Sequence, residues 1–149
     1  IITCALMVTV VSDFLYFYIS DRVLILSGIG IIITLLCFEN LDVVFKHIVS
    51  SAIVFILMYL IKLLGNAIFK KESLGDGDIK LMGIVGLALG LMNSAISLFI
   101  ASITGLVFSL IISRKNKEGI IPFGPFLLIG ALITLYFSDI ITPFIEMYF

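Results

Sequence analysis

Long apolar runs cut by short charged stretches dominate this chain, and six of them can be traced from end to end. The first covers residues 1–19 and is interrupted by Asp13 near one end. A turn at Asp21 and Arg22 leads into the second run, residues 23–38. Glu39 to His47 reads as a mixed-charge connection, and residues 48–69 form the third run. Lys62 lies inside that run, near enough to its end for the long side chain to reach an interface. KKESLGDGD, residues 70–78, is the most polar stretch of the protein. The fourth run is residues 79–92, and Asn93 with Ser94 is expected to turn the chain into the fifth, residues 95–113. After RKNKEG, residues 114–119, the sixth run extends from Ile120 to near Phe137 and opens on IPFGPF. Pro122 and Pro125 predict an irregular entry whose backbone must be satisfied by protein or water. The tail beyond Asp139 is too short to span, and no internal repeat or low-complexity segment is present.

Composition turns this pattern into a statement about environment. The chain of 149 residues is 62% hydrophobic and 13% charged, with a mean hydropathy of +1.32. Soluble domains are about half apolar and about a quarter charged. A bilayer span takes roughly 20 residues at about 1.5 Å each, so six spans use most of the chain. The expected fold is all-α, a polytopic membrane protein of about six transmembrane helices. Residues 1–149 then form a single membrane-embedded domain with no room for a separate soluble one. The lipid bilayer is the expected surrounding. A net charge of −1 without a long basic run excludes nucleic acid as the main partner. Cys4 and Cys37 lack C-x-x-C spacing and neighbouring His, so no metal site is expected and both read as apolar fillers. Because the sequence starts at Ile1 rather than Met, a segment upstream of it is expected.

Lys and Arg concentrate on the cytoplasmic side of membrane proteins, which sets the expected orientation. The loops after the first, third and fifth runs share one side and carry Arg22, Lys70, Lys71, Lys80, Arg114, Lys115 and Lys117, with Lys62 reaching the same way. Lys46 alone falls outside. Both ends of the chain then face outward, and an upstream segment starting in the cytoplasm would need a span of its own.

Carboxylates in or near the membrane cost about 2.5 to 3.5 kcal/mol at a helix centre, so each needs a reason. Asp13 sits in the apolar run VTVVSDFLYFYI, and Asp78 closes the G-D-G-D of residues 75–78. By topological parity both approach the cytoplasmic face at one depth. Two carboxylates a few ångströms apart cannot both ionise cheaply and hold one proton between them. Such a pair can activate water with its ionised member and polarise a carbonyl with its protonated one. Gly75 and Gly77 suit a site that substrate backbone must approach closely. Other readings of the same residues stay open. An intramembrane Asp can serve a proton pathway or a structural ion pair. G-D-G-D can be a turn whose Asp78 caps the next helix. Asp21 and Asp76 read as solvated loop carboxylates, Lys80 as a flanking cation, and His47 as an outer loop residue. Gly86 and Gly90 read as a helix-packing face. No Ser, His and Asp set falls on one side, and neither cysteine has a base nearby.

Taken together, three stretches resemble the type IV prepilin peptidase family of G-x-G-D membrane aspartyl proteases. They are Asp13 followed by FLYFYISDRVLIL, GDGDIKLMGIVGLALG from Gly75 to Gly90, and IPFGPFLLIGAL from Ile121 to Leu132. The resemblance implies Asp13 and Asp78 as the catalytic pair, with Gly75 and Gly77 shaping the second motif and Lys80 as the motif lysine. Pro122, Phe123, Gly124 and Pro125 match the segment that opens the last helix. It further implies an aspartic endopeptidase of the bacterial inner membrane, multi-pass, with its active site at the cytoplasmic face and no cofactor. Its substrates would be prepilins or pseudopilins, cut between a basic leader and a hydrophobic helix, usually after a Gly.

Two departures stand out. Ser20 occupies a position where the family often has Pro, and the two C-x-x-C pairs of the family's bifunctional members are absent from these residues. A peptidase core without the zinc-binding methyltransferase region is therefore expected, that region being either missing or upstream of Ile1. Archaeal-type preflagellin peptidases share both aspartate motifs. A presenilin-like intramembrane protease lacks support because no Pro-Ala-Leu motif is present and Ser12 precedes Asp13. A small proton-coupled transporter is the reading from a different class, and no intramembrane Arg or His relay accompanies Asp13.

Overall fold

The structure, a computed structural model, describes residues 21–70, 74–113 and 123–148. Each element among them is a helix: α1 (Asp21–Phe38), α2 (Leu41–Phe69), α3 (Asp76–Ser113) and α4 (Gly124–Tyr148). The expected first run lies outside the described residues. The remaining apolar runs are helical, but their boundaries differ from the expectation at five places, the first being Asp21 and Arg22, expected as a turn and found as the opening residues of α1.

The connection expected over Glu39 to His47 shrinks to Glu39 and Asn40, because α2 starts at Leu41. Val43 and Val44 donate to the Asn40 carbonyl at 2.9 and 3.1 Å, which closes the first turn there. At the other end Lys70 adopts the left-handed conformation and its N–H bonds the Asn66 carbonyl at 3.0 Å, a helix-ending geometry. α3 starts at Asp76, earlier than expected. Asn93 and Ser94, expected to form a turn, are helical. The break falls instead at Gly90, with φ 76° and ψ 177°. α4 continues past Phe137 to Tyr148, so the tail extends the last helix.

The two halves of α3 bury their apolar residues in one core. Ile79, Leu81, Met82 and Val85 pack in the same cluster as Ala101, Phe126, Leu127, Leu128 and Ala131. An unbroken helix would hold Met82 and Ala101 about 28 Å apart. The second half of α3 therefore folds back along the first at Gly90. Neighbouring helices alternate in direction. Leu24 of α1 meets Val54 and Met58 of α2 at the Ile79 end, whereas Ile31, Leu35 and Val44 meet Leu87 and Ala88 at the other.

Small residues allow the close approaches. Gly86 lies so near α2 that an added methyl group would stand 3.1 Å from Ser51 Cα and 3.2 Å from Val54 Cβ. The Ser51 hydroxyl crosses the gap to donate to the Gly83 carbonyl at 2.7 Å. Other hydroxyls, including Ser27, Thr34, Ser50, Ser94, Thr104 and Thr134, donate to carbonyls of their own helix. Those bonds satisfy these donors inside an apolar bundle, whereas the buried Ser97 hydroxyl has no hydrogen-bond partner among the described residues.

Outward faces are apolar. Phe45, Phe55, Ile56, Tyr59 and Leu60 are exposed on α2, as are Phe99, Leu106 and Leu110 on α3. Between Lys80 and Arg114 no charged residue occurs. By length and composition Leu41–Ile68 and Asp76–Ile111 are long and apolar enough to cross a membrane, the second being divided at Gly90, while α1 and α4 carry shorter apolar stretches. Surfaces of this extent and polarity suit lipid rather than water.

Candidate functional site

The G-D-G-D residues form the start of α3. Gly75 precedes the helix, and Asp76, Gly77 and Asp78 occupy its first three positions. Both carboxylates thus lie where the helix presents unpaired N–H groups and the positive end of its dipole. Asp78 folds back over the helix start, so that a methyl group added at Gly75 would sit 3.4 Å from its Oδ2. Gly75 leaves that side of the carboxylate uncovered.

Helical geometry then separates the roles of the two aspartates. Leu81, Met82 and Val85, three, four and seven residues beyond Asp78, are fully buried. Asp78 is half-buried and continues this innermost stripe to the end of the bundle. Asp76 points about 200° away from Asp78 around the helix, toward α2. There it forms an ion pair with Lys62. The loop carboxylate read from the sequence is therefore tied to the preceding helix. Lys80 is exposed at the same end. The sequence held a signal for the pair. A lysine in an apolar run needs a counter-charge, and an antiparallel return brings Asp76 to its level.

Phe123, Gly124 and Pro125 lie at this same end. Phe126 and Leu127 donate to the Phe123 carbonyl at 3.1 and 3.2 Å, which makes Phe123 the residue at which α4 begins. Pro125 falls in the first turn, where its missing N–H costs no helical hydrogen bond. The Phe123 ring covers Gly105, and Phe126 stacks tilted on Phe108 with ring centroids 5.2 Å apart. Phe123 also packs against the cluster that holds Ile79, Leu81 and Met82. The fold accordingly brings Gly75, Gly77 and Asp78 to one end of the bundle with Phe123, Gly124 and Pro125. Asp13 and Pro122 lie outside the described residues. Among the described residues no group of three His, Cys, Asp or Glu side chains is placed to hold a metal ion.

His47 differs from the reading of it as a loop residue. It stands on α2, and its Nδ1 lies 2.8 Å from the Leu87 carbonyl oxygen, beside the Gly90 break. Gly90 likewise differs from its reading as a packing glycine, since its backbone is the break itself.

Fold and surface define the class, a helical membrane protein. Comparison with known sequences makes it specific. The profile of the Type IV leader peptidase family matches residues 1–110, and the chain belongs to that family. It is similar to the prepilin leader peptidase/N-methyltransferase of Legionella pneumophila, 38% identical over 105 residues, which cover 68% of this chain and 36% of that protein. The protein of the same name from Haemophilus influenzae is 40% identical over 92 residues, 62% of this chain and 39% of that one. A type 4 prepilin-like proteins leader peptide-processing enzyme of Escherichia coli O78:H11 is 33% identical over 82 residues, 55% of this chain and 30% of that protein. The matched residues thus span between 30% and 39% of these relatives' own lengths. No solved structure gave a significant match.

Proposed function

We propose that the chain is the catalytic domain, over residues 1–149, of an aspartic endopeptidase that removes the basic leader of type IV prepilins or pseudopilins. The observation that carries this reading is Asp78. It is a half-buried carboxylate at the start of α3, bordered by Gly75 and continuing the buried stripe of Leu81 and Val85. Membership of the Type IV leader peptidase family supports a leader peptidase role. The names of the similar proteins supply the substrate.

Asp13 is the partner in this reading. With residues 1–19 as the first span and α3 divided at Gly90, the chain crosses the inner membrane of a bacterium six times. The distribution of positive charge supports a cytoplasmic position for Asp78. Asp13 and Asp78 share one proton. The ionised carboxylate takes a proton from water as the water oxygen bonds the scissile carbonyl carbon, and the protonated one hydrogen-bonds the carbonyl oxygen. Collapse breaks the C–N bond as a proton passes to the leaving amine. No metal or organic cofactor is needed for these steps. Gly75 and Gly77 leave space for the leader backbone, and the substrate's hydrophobic helix stays in the bilayer.

Leader cleavage of a co-expressed prepilin tests the assignment. Asp13→Asn and Asp78→Asn abolish cleavage, Asp21→Asn keeps it, and Asp76→Asn gives a reduced but readily measured rate. Full activity in either of the first two overturns the dyad. Solute uptake driven by a proton gradient in the wild type would support the transporter instead.

A further inference from the structure

We propose that Lys62 is a positioning residue for Asp78, acting through its ion pair with Asp76. This inference rests on the reading of Asp78 as catalytic.

The pair joins unlike partners. The Lys62 side chain is only 12% exposed, on a helix whose neighbouring residues are apolar, whereas that of Asp76 is 76% exposed. A lysine kept so far from water is held by its carboxylate partner rather than drawn out to solvent. What it holds is the first residue of α3. Gly75 and Gly77 flank Asp76 and have no side chains to pack, so Asp76 supplies the side-chain tether of this three-residue stretch to α2. The first turn of a helix is the part most prone to fray.

Rotation links the tether to the site. Asp76 and Asp78 point about 200° apart around the helix. Fixing Asp76 against Lys62 therefore directs Asp78 away from α2, in line with the buried stripe of Leu81, Met82 and Val85. Without the ion pair this turn can rotate or unwind, and Asp78 loses its aim while the rest of α3 stays packed. A displacement of about 1 Å at a reacting group can cost on the order of a hundredfold in rate.

The test measures kcat and KM for prepilin cleavage by the full chain in detergent, per folded molecule. Lys62→Met lowers kcat about ten- to a hundredfold with KM within about twofold of wild type, because groups that bind substrate are untouched. Lys62→Arg, which keeps the charge, restores most of kcat. Lys62→Met with Asp76→Asn is no slower than Lys62→Met alone, since both changes break one interaction. An unchanged kcat in Lys62→Met, or a double variant whose loss is the product of the single losses, overturns the proposal. Asp78→Asn is run in the same assay. If it stays active, the catalytic reading of Asp78 fails whatever Lys62 does; if it is inactive while Lys62→Met is fully active, only the positioning role fails.

Discussion

His47 donates a hydrogen bond from Nδ1 to the carbonyl oxygen of Leu87, 2.8 Å away, and so ties α2 to the last turn of α3 before the Gly90 break. A carbonyl only accepts, so the ring carries its proton on Nδ1. In a continuous helix Leu87 would receive the N–H of Leu91, and the non-helical backbone of Gly90 lies between the two. Backbone that departs from helix in an apolar setting must find another partner, and His47 supplies it.

Replacing His47 with Ala leaves the Leu87 carbonyl without this donor, at a cost of about 1–3 kcal/mol. Thermal unfolding in detergent micelles reads that loss as a lower midpoint. Cleavage per folded molecule stays at the wild-type level, because the bond lies at the end of the bundle opposite Asp78. An unchanged midpoint would show that the bond is not needed to close the break.

Much of the fold was legible because apolar runs of span length have few alternatives to helix. The end of the bundle at which Asp78 gathers with Phe123 and Pro125 followed from counting alternations of direction. The turn was misplaced for a physical reason. Asn93 and Ser94 have the composition of a turn, but the helix absorbs both, and the Ser94 hydroxyl bonds the Leu91 carbonyl at 2.8 Å. Gly90 makes the break through a backbone conformation that composition does not reveal. His47 with Leu87 was hidden because it joins a side chain and a carbonyl of different helices, whereas Lys62 in its apolar run signalled a counter-charge without naming Asp76. Asp78 was visible as a costly carboxylate beside glycines, whereas its alignment with Leu81 and Val85 needed the helix start at Asp76.

Gly75→Ala separates activity from stability. Among the described residues Gly90 alone has the positive φ that demands glycine, so Ala fits the backbone at position 75. Its methyl group would stand at van der Waals contact from Asp78 Oδ2, 3.4 Å away, and would cover that side of the carboxylate. The expected result is a fall in kcat/KM of about tenfold or more, roughly 1.4 kcal/mol of barrier, with a melting midpoint close to wild type. A variant as active as wild type would show that substrate does not approach Asp78 over Gly75.

Substitutions at three packing glycines rank by what the new methyl group meets. At Gly130 it would lie 2.3 Å from the Ser97 carbonyl oxygen and 3.1 Å from the Ala101 nitrogen, both backbone, so α3 and α4 must separate. At Gly86 the nearest atom is Ser51 Cα at 3.1 Å, again backbone but less severe. At Gly83 it is the Phe55 ring at 3.3 Å, and that side chain is partly exposed and can swing aside. Alanine at Gly130 is expected to cost more than about 3 kcal/mol, at Gly86 about 1–3, and at Gly83 less than about 1. Urea or thermal unfolding of the three purified variants gives the order, and a Gly83 variant weaker than Gly130 would refute it.

Gly90 makes a sharper case, because its cost comes from conformation rather than contact. With φ 76° and ψ 177° it lies outside the left-handed helical region, in territory that is essentially confined to glycine. Asn, which eases many left-handed positions, gains nothing where ψ is near 180°. Gly90→Ala and Gly90→Asn are therefore expected to lose stability equally, by about 1–3 kcal/mol. An added methyl group would meet His47 Cε1 at 3.7 Å, an ordinary contact. Removing the imidazole does not relieve the strain, so Gly90→Ala with His47→Ala is less stable than either single variant. If the double variant instead recovers stability over Gly90→Ala, the damage at position 90 is a clash with His47 and the backbone account is wrong.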